Sequence, residues 1–372
     1  MLRLPALAAL AVTLAASAAS LLGAADAAYA AVMRDRAPKA SPPLVFGIYP
    51  GGAAGTVGPA GRTRPEDPSL RMARLERLRG RTRPFVLHLY DSFTRRADAT
   101  ALPAWLAADI AAYTRRGFEV ELVLAYRPAD PRGDVAGFVA FVRSRVRELG
   151  PDRGVTGIQV TNEANVAGAP SAADGAYAGV RDALVQGVVA AKDEARRGGF
   201  GQIRVGFNWA YQLGPAERDF WRALGRSGGP ALAGAVDWVG VDAYPGTWGP
   251  PLRKRGLARG AHAATIDALR VMRTTFLPLA GLADVALHVS EAGYPTGPRR
   301  GNVKQVRVLR AIARAVSDHR HAYGVTDFRW FDLRDADSAS ASFESRYGLV
   351  RDDYRPKPAF RAYRRIIAAA AR

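Results

Sequence analysis

Eight times along this chain a short apolar or β-branched run gives way to a longer stretch of helical character, and few folds accept that order. The runs fall at 44–49, 84–90, 118–126, 157–162, 203–209, 236–244, 287–294 and 328–332. The helical stretches fall at 70–79, 102–116, 135–149, 174–197, 215–224, 263–277, 302–318 and 358–370. Strands alternating with helices imply a parallel sheet. Eight such units in one uninterrupted series fit a closed (β/α)8 TIM barrel, of α/β class, better than an open doubly wound sheet. A single catalytic domain is therefore expected over 44–372, behind a small polar linker at 31–43, with a long Gly/Pro-rich loop over 51–68 and no second domain.

In such a barrel the chemistry sits at the C-terminal ends of the strands. Those ends carry Tyr49, Tyr90, Asn162 with Glu163, Asn208 with Trp209, Asp242 with Tyr244, Glu291, and Trp330 with Asp332. Aromatic faces pack on the C–H faces of sugars while carboxylates and amides bond the hydroxyls, so this set points to a carbohydrate site. No Gly-rich phosphate loop is evident after the seventh or eighth strand, which argues against phosphorylated substrates. Glu163 ends the fourth run within Thr-Asn-Glu-Ala-Asn165, and Glu291 ends the seventh within Val-Ser-Glu-Ala-Gly293. Two carboxylates across a barrel mouth can cleave a glycosidic bond, one protonating the leaving oxygen. At about 5 to 5.5 Å apart the second acts as nucleophile and configuration is retained. Strict strand alternation would turn Asn162 and Glu163 to opposite faces, so the fourth strand must bulge or twist at its end if both serve the cleft.

Those residues give the mature chain a resemblance to the retaining (β/α)8 glycoside hydrolases of clan A, which carry Asn-Glu at the end of strand four and Glu at the end of strand seven. The resemblance implies Glu163 as general acid/base, Asn162 as partner of the sugar 2-hydroxyl and Glu291 as nucleophile. It also implies Tyr244 bonding the nucleophile and Trp330 flooring the catalytic subsite. Tyr49, Tyr90, Asn208, Trp209 and Asp242 are the remaining substrate-binding candidates. The chain departs from the pattern in two places. Strand two reads His88-Leu-Tyr90-Asp91 where many members have an arginine, for which Arg127 is a candidate substitute, and Ala-Asn follows Asn-Glu.

Blander readings exist for each residue. Glu163 and Glu291 could be rim ion-pair partners, Tyr244 a packing residue and Trp330 barrel core, and Trp209 and Trp248 stand between sugar platform and packing. His88 and His288 read as satisfied core histidines, and His319 with His321 lacks the further ligand a metal site needs. No cofactor and no metal are expected.

The N-terminus reads Met-Leu-Arg-Leu-Pro, an apolar stretch, then Ala-Tyr-Ala30, the layout of a secretory signal over 1–30. The product would be secreted or associated with the cell wall, with no stable membrane insertion after cleavage, and would act as a monomer. With no cysteine, disulfides, thiolate zinc sites and thiol catalysis are excluded. The formal charge of +19 favours an anionic carbohydrate partner. Scattered basic residues without a recognised motif argue against nucleic acid. The alternative to an enzyme is a non-catalytic carbohydrate- or wall-binding barrel.

Overall fold

Parallel strands buried on both faces need helices outside and a filled interior, and the charged residues within this chain's strands decide which face is which. The computed structural model describes residues 43–51, 64–94, 101–249, 252 and 256–370. The expected export signal, the linker up to 42 and most of the loop over 51–68 lie outside these. Eight strands, β1 (Val45–Ile48), β2 (Phe85–Phe93), β3 (Glu119–Tyr126), β4 (Val155–Val160), β5 (Arg204–Ala210), β6 (Trp238–Ala243), β7 (Ala286–Ala292) and β8 (Val325–Trp330), close into a barrel in chain order. All neighbours are parallel, and β8 pairs back to β1 through Phe328 opposite Phe46 and Trp330 opposite Ile48.

The helices between them are α1 (Pro68–Arg79), α2 (Ala104–Arg115), α3 (Val135–Leu149), α4 (Val180–Arg197), α5 (Pro215–Ala233), α6 (Leu257–Val271), α7 (Asn302–Tyr323) and α8 (Pro358–Ala370). Local chemistry sets several ends. Asp67 caps α1 by accepting from Ser69 N and Leu70 N, with Pro68 at the first position, and Gly324 stops α7 in the left-handed region at φ 66°. The helix expected from 174 begins only at Val180; Asp174–Ala176 forms a separate 3-10 turn, which matters for the site. α6 starts earlier than its pattern indicates and runs on through a π turn at Met272–Phe276.

Apolar side chains fill the layer between strands and helices. Phe46 and Phe328 meet Tyr363 of α8 edge to face at 6.1 and 6.0 Å. The barrel interior is instead polar at its middle. Arg329 Nη2 reaches from β8 to Glu121 Oε2 of β3 at 3.0 Å and also lies 3.3 Å from Asp327 Oδ1. His88 Nδ1 lies 2.9 Å from Glu121 Oε1, and His288 Nε2 lies 3.0 Å from Asp327 Oδ2 while its ring stacks on Trp238 at 4.3 Å. Both histidines are thus core residues held by carboxylates. Burial alone would push the Glu121 carboxyl up, but Arg329 and the two histidines hold it well below the usual carboxylate range. Asp327 is depressed in the same way by His288 and Arg329 against its burial.

Removing one partner from a buried ion network costs more than the network contributes, because the remaining charge is left without compensation. Arg329→Leu should therefore lower unfolding free energy by about 3 to 5 kcal/mol, measured by urea denaturation. A loss within experimental error would show that Glu121 and Asp327 find other partners.

Candidate active site

The fourth strand ends at Val160, short of both Asn162 and Glu163, and the chain then enters an unusual turn. Thr161 and Glu163 both have positive φ, 65° and 48°. For side chains with a Cβ, and most of all for a β-branched threonine, that region costs on the order of 1 to 3 kcal/mol per residue. Neighbouring groups hold the turn in place. Asp174 Oδ2 accepts from Asn162 N at 2.7 Å and from Tyr126 N at 2.6 Å, and Asn208 Oδ1 accepts from Glu163 N at 2.7 Å. Gln159 Nε2 donates to Thr161 O at 3.1 Å, and Asn162 Nδ2 to Ala172 O at 2.8 Å. The two left-handed residues break strand alternation and free Asn162 and Glu163 from facing opposite sides of the strand.

The seventh strand makes the equivalent departure by a different device. Between the pairs Gly240 with His288 and Asp242 with Glu291, β6 advances two residues while β7 advances three. The extra residue is a bulge. Ser290 therefore donates to Asp242 Oδ1 at 2.6 Å while Glu291 also reaches the cleft. Tyr244 Oη donates to Glu291 Oε2 at 2.5 Å, and Tyr90 Oη donates to Oε1. Both oxygens of Glu291 thus act as acceptors, as in a carboxylate anion. Burial, and then the charge of Glu291, push both tyrosine hydroxyls well above their usual range, so they remain donors.

Oxygens of Glu163, Asp242 and Glu291 lie within 4.8 Å of one another. Burial, then the Glu291 charge, then Asp174 push the Glu163 carboxyl up to about 8. Asp242 is raised well above its ordinary value by burial and by both glutamates, and Asn208 Nδ2 donates to it at 2.6 Å. Three monodentate carboxylates supply at most half the oxygen shell of a hard cation such as calcium, and those of Asp242 and Glu291 already accept from side chains. Protonation relieves the crowding more simply.

Aromatic side chains wall the cleft. Tyr49 stacks on Phe331 with centroids 5.3 Å apart and meets Tyr90 edge-on at 5.5 Å. Phe331 in turn meets Tyr244 and Tyr347 edge-on at 6.2 and 6.0 Å. It is joined to Asp332 by a cis peptide bond.

The structure brings together Glu163, Glu291, Asn162, Tyr244, Tyr49, Tyr90, Asn208 and Asp242. It places the two expected tryptophans elsewhere. Trp330 is fully buried 6.4 Å from Tyr363 of α8, because the inward position of β8 is taken by Arg329 and its successor must face the helices. Trp209 follows the inward Asn208 and points outward, donating from Nε1 to Glu217 Oε1 at 2.6 Å and packing on Phe276. Arg127 sits beside Asp174 at 3.6 Å, whereas His88 and Tyr90 occupy the ground next to Glu291, with His88 Nε2 4.0 Å from Oε1. Phe331 and Asp174 are the residues the sequence pattern did not single out. Strand phase counted inward from Arg329 would have found Phe331. Asp174 lies in a helix-like stretch that hid it.

No family model matches the chain, and no curated protein matches it. Among solved structures, an uncultured Clostridium sp. beta-glucuronidase superposes with TM-score 0.57 at 12% identity, over 88% of this chain and 50% of its own. A glucosidase from Croceicoccus marinus does so with TM-score 0.57 at 16% identity, over 89% of this chain and 71% of its own. A family 39 glycoside hydrolase from Bacteroides cellulosilyticus WH2 gives 0.56 at 15% identity, over 88% and 64%. The chain thus spans about two thirds or less of the length of two of the three, and what it shares with them is the fold.

Two expectations follow from the placements. Trp330→Ala should cost about 3 to 5 kcal/mol of stability as a core truncation, whereas Phe331→Ala should cost less stability and weaken any ligand binding at the cluster more; urea unfolding and ligand titration separate them. The second concerns Asp174, whose carboxyl is raised to about 7, chiefly by burial. A folded state that keeps a proton the unfolded chain has released loses stability as pH rises from the unfolded value toward 7. Asp174→Asn should flatten that decline, whereas Asp174→Ala should orphan two buried N–H groups and lower both stability and any turnover; melts across pH 4 to 8 would show it.

Proposed function

We propose that this protein is a secreted retaining glycoside hydrolase acting on a polysaccharide or oligosaccharide by double displacement, and that it works as a monomer without a cofactor. The observation that carries the reading is the separation of Glu163 and Glu291, whose oxygens lie within 4.8 Å. That bound is no longer than the roughly 5 to 5.5 Å of retaining pairs and well short of the roughly 6.5 to 9.5 Å that inverting enzymes need to admit a water.

The two carboxylates also differ in the way the reaction requires. Glu163, holding its proton up to about pH 8, donates it to the departing glycosidic oxygen. Glu291 attacks the anomeric carbon as the bond breaks and forms a glycosyl ester. Tyr90 and Tyr244 orient it for this attack. Esterification removes the Glu291 charge, which is among the causes holding Glu163 protonated, so the Glu163 carboxylate left by proton donation is stable enough to act as base. It takes a proton from water, water attacks the anomeric carbon, and Glu291 is released. Asn162 lies beside Glu163, where a sugar 2-hydroxyl would be presented. The high positive charge of the chain supports an acidic glycan as substrate. The N-terminal pattern over 1–30 supports export.

A barrel that only bound carbohydrate would have no use for a strained turn and a bulge that bring two glutamates to reacting distance. A panel of polysaccharides and aryl glycosides, acidic and neutral, identifies the substrate. On it, Glu291→Ala should reduce hydrolysis to background, and added azide should restore turnover as a glycosyl azide of inverted configuration. The wild-type kcat/KM should fall as pH rises through about 8, where Glu163 loses its proton. Unchanged hydrolysis by Glu291→Ala would refute the mechanism.

A further inference from the structure

A cavity of about 110 Å³ lies between the loops that follow β7 and β8, at the start of α7 and outside the catalytic cluster. That is several times the space one water occupies, about 30 Å³. Arg300, Arg346, Arg351 and Lys357 line it, and Asp335 is the one carboxylate among its lining residues. Lys357 Nζ donates to Asp335 at 2.6 Å, so that pair is neutral as a unit. Three arginines then line the space without a carboxylate of their own in the lining; Arg300 Nη1 donates to Gly246 O and Arg346 Nη1 to Ser340 O, each at 3.2 Å, which uses one of the five N–H donors of each guanidinium. Arg346 Nε is buried with no hydrogen-bond partner among the described residues. Asn302 at the start of α7 adds the positive end of a 22-residue helix, whose preceding Gly301 makes no side-chain cap. No Gly-rich phosphate loop was evident here from sequence, yet Gly297-Pro-Arg-Arg-Gly301 folds into this position.

The cavity also continues an aromatic path from the cleft. The Arg300 guanidinium lies 5.3 Å from the Tyr294 ring centroid and 4.9 Å from that of Phe343. Phe343 lies 5.6 Å from Trp248, which is 62% exposed on the loop that begins with Tyr244.

We infer that the cavity between the β7 and β8 loops binds a single oxyanion, a carboxylate, sulfate or phosphate group, through Arg300, Arg346 and Arg351 at the N-terminus of α7. Two sources share that chemistry. One is an acidic substituent of a glycan running over Trp248 and Phe343 from the cleft; the other is a free inorganic anion. The oxyanion site does not depend on the reaction proposed above, and its assignment to a glycan does.

Calorimetric titration of the full chain with sodium sulfate and with inorganic phosphate, at ionic strength matched with chloride, tests the site itself. One saturable site is expected. Losing a charge-assisted hydrogen bond should weaken it about tenfold or more in Arg351→Gln and in Arg300→Gln, with thermal melts verifying that both variants are folded. Arg299→Gln, an exposed neighbour that does not line the cavity, should bind as the wild type does. Absence of saturable binding, or an equal loss in Arg299→Gln, would mean an adventitious ion only and would overturn the inference. An acidic oligosaccharide and its neutral counterpart, titrated into Glu163→Gln, then identify the source. Competition of the acidic one by sulfate, lost in Arg351→Gln, assigns the site to the glycan. Sulfate binding without competition assigns it to a free anion, and both results support the site.

Discussion

Three carboxylates whose oxygens lie within 4.8 Å of one another in a poorly solvated cleft cannot all be charged, and much of this barrel is arranged around that constraint. The arrangement distributes protons unequally. Glu163 and Asp242 are pushed toward the protonated form by burial and by their neighbours, while Glu291 is given two tyrosine hydroxyls, one on each oxygen. One layer deeper the problem has the opposite solution. Glu121 and Asp327 are kept ionised by Arg329 and two histidines, so the floor of the cleft is a compensated network rather than an additional source of negative charge. His88 joins the layers, touching Glu121 with one ring nitrogen and Tyr90 with the other.

Geometry serves the same end. A parallel strand alternates its faces, and an undistorted barrel would present only one residue of each adjacent pair to the mouth. At β4 the chain escapes this rule by two left-handed residues beyond the strand, and at β7 by a bulge within it. The first device lets Asn162 and Glu163 act together; the second does the same for Ser290 and Glu291. Ser290 then bonds Asp242, so the bulge fixes the third carboxylate as well as delivering the second.

Most of this was legible in the sequence, for a physical reason. The eightfold alternation shows in composition because each strand is buried on both faces and each helix on one, and Glu163 and Glu291 stand out because a carboxylate ending an apolar run has few structural uses. The required break in alternation at Asn162 and Glu163 could also be anticipated, although its form could not. What stayed hidden depended on contacts distant in sequence. Trp330 and Phe331 are equally aromatic, and which of them faces the cleft follows from Arg329 pointing inward toward Glu121, a partner 208 positions away. Trp209 is turned outward by the same phase rule and then anchored by Glu217. Asp174 resembled part of a helix, and its service to the backbone of Tyr126 and Asn162 exists only once β3 and β4 are side by side.

Asp174 also explains why a strained turn can persist where the proposed chemistry needs it. Two non-glycine residues in the left-handed region together cost on the order of 2 to 6 kcal/mol. Hydrogen bonds return about 0.5 to 1.5 kcal/mol each, and more where a charged group takes part. Five of them converge on residues 161 to 163 and their immediate supports, two of them accepted by the Asp174 carboxyl group that bridges two strands. The two sums are of the same order, so the turn is held with little margin. Its supports, Asp174 and Asn208, also set the surroundings of Glu163, one through its proximity and one through the Glu163 amide. The position of the proposed acid and the energy of its proton are thus fixed by a shared group of side chains, and a change in one of these residues alters both.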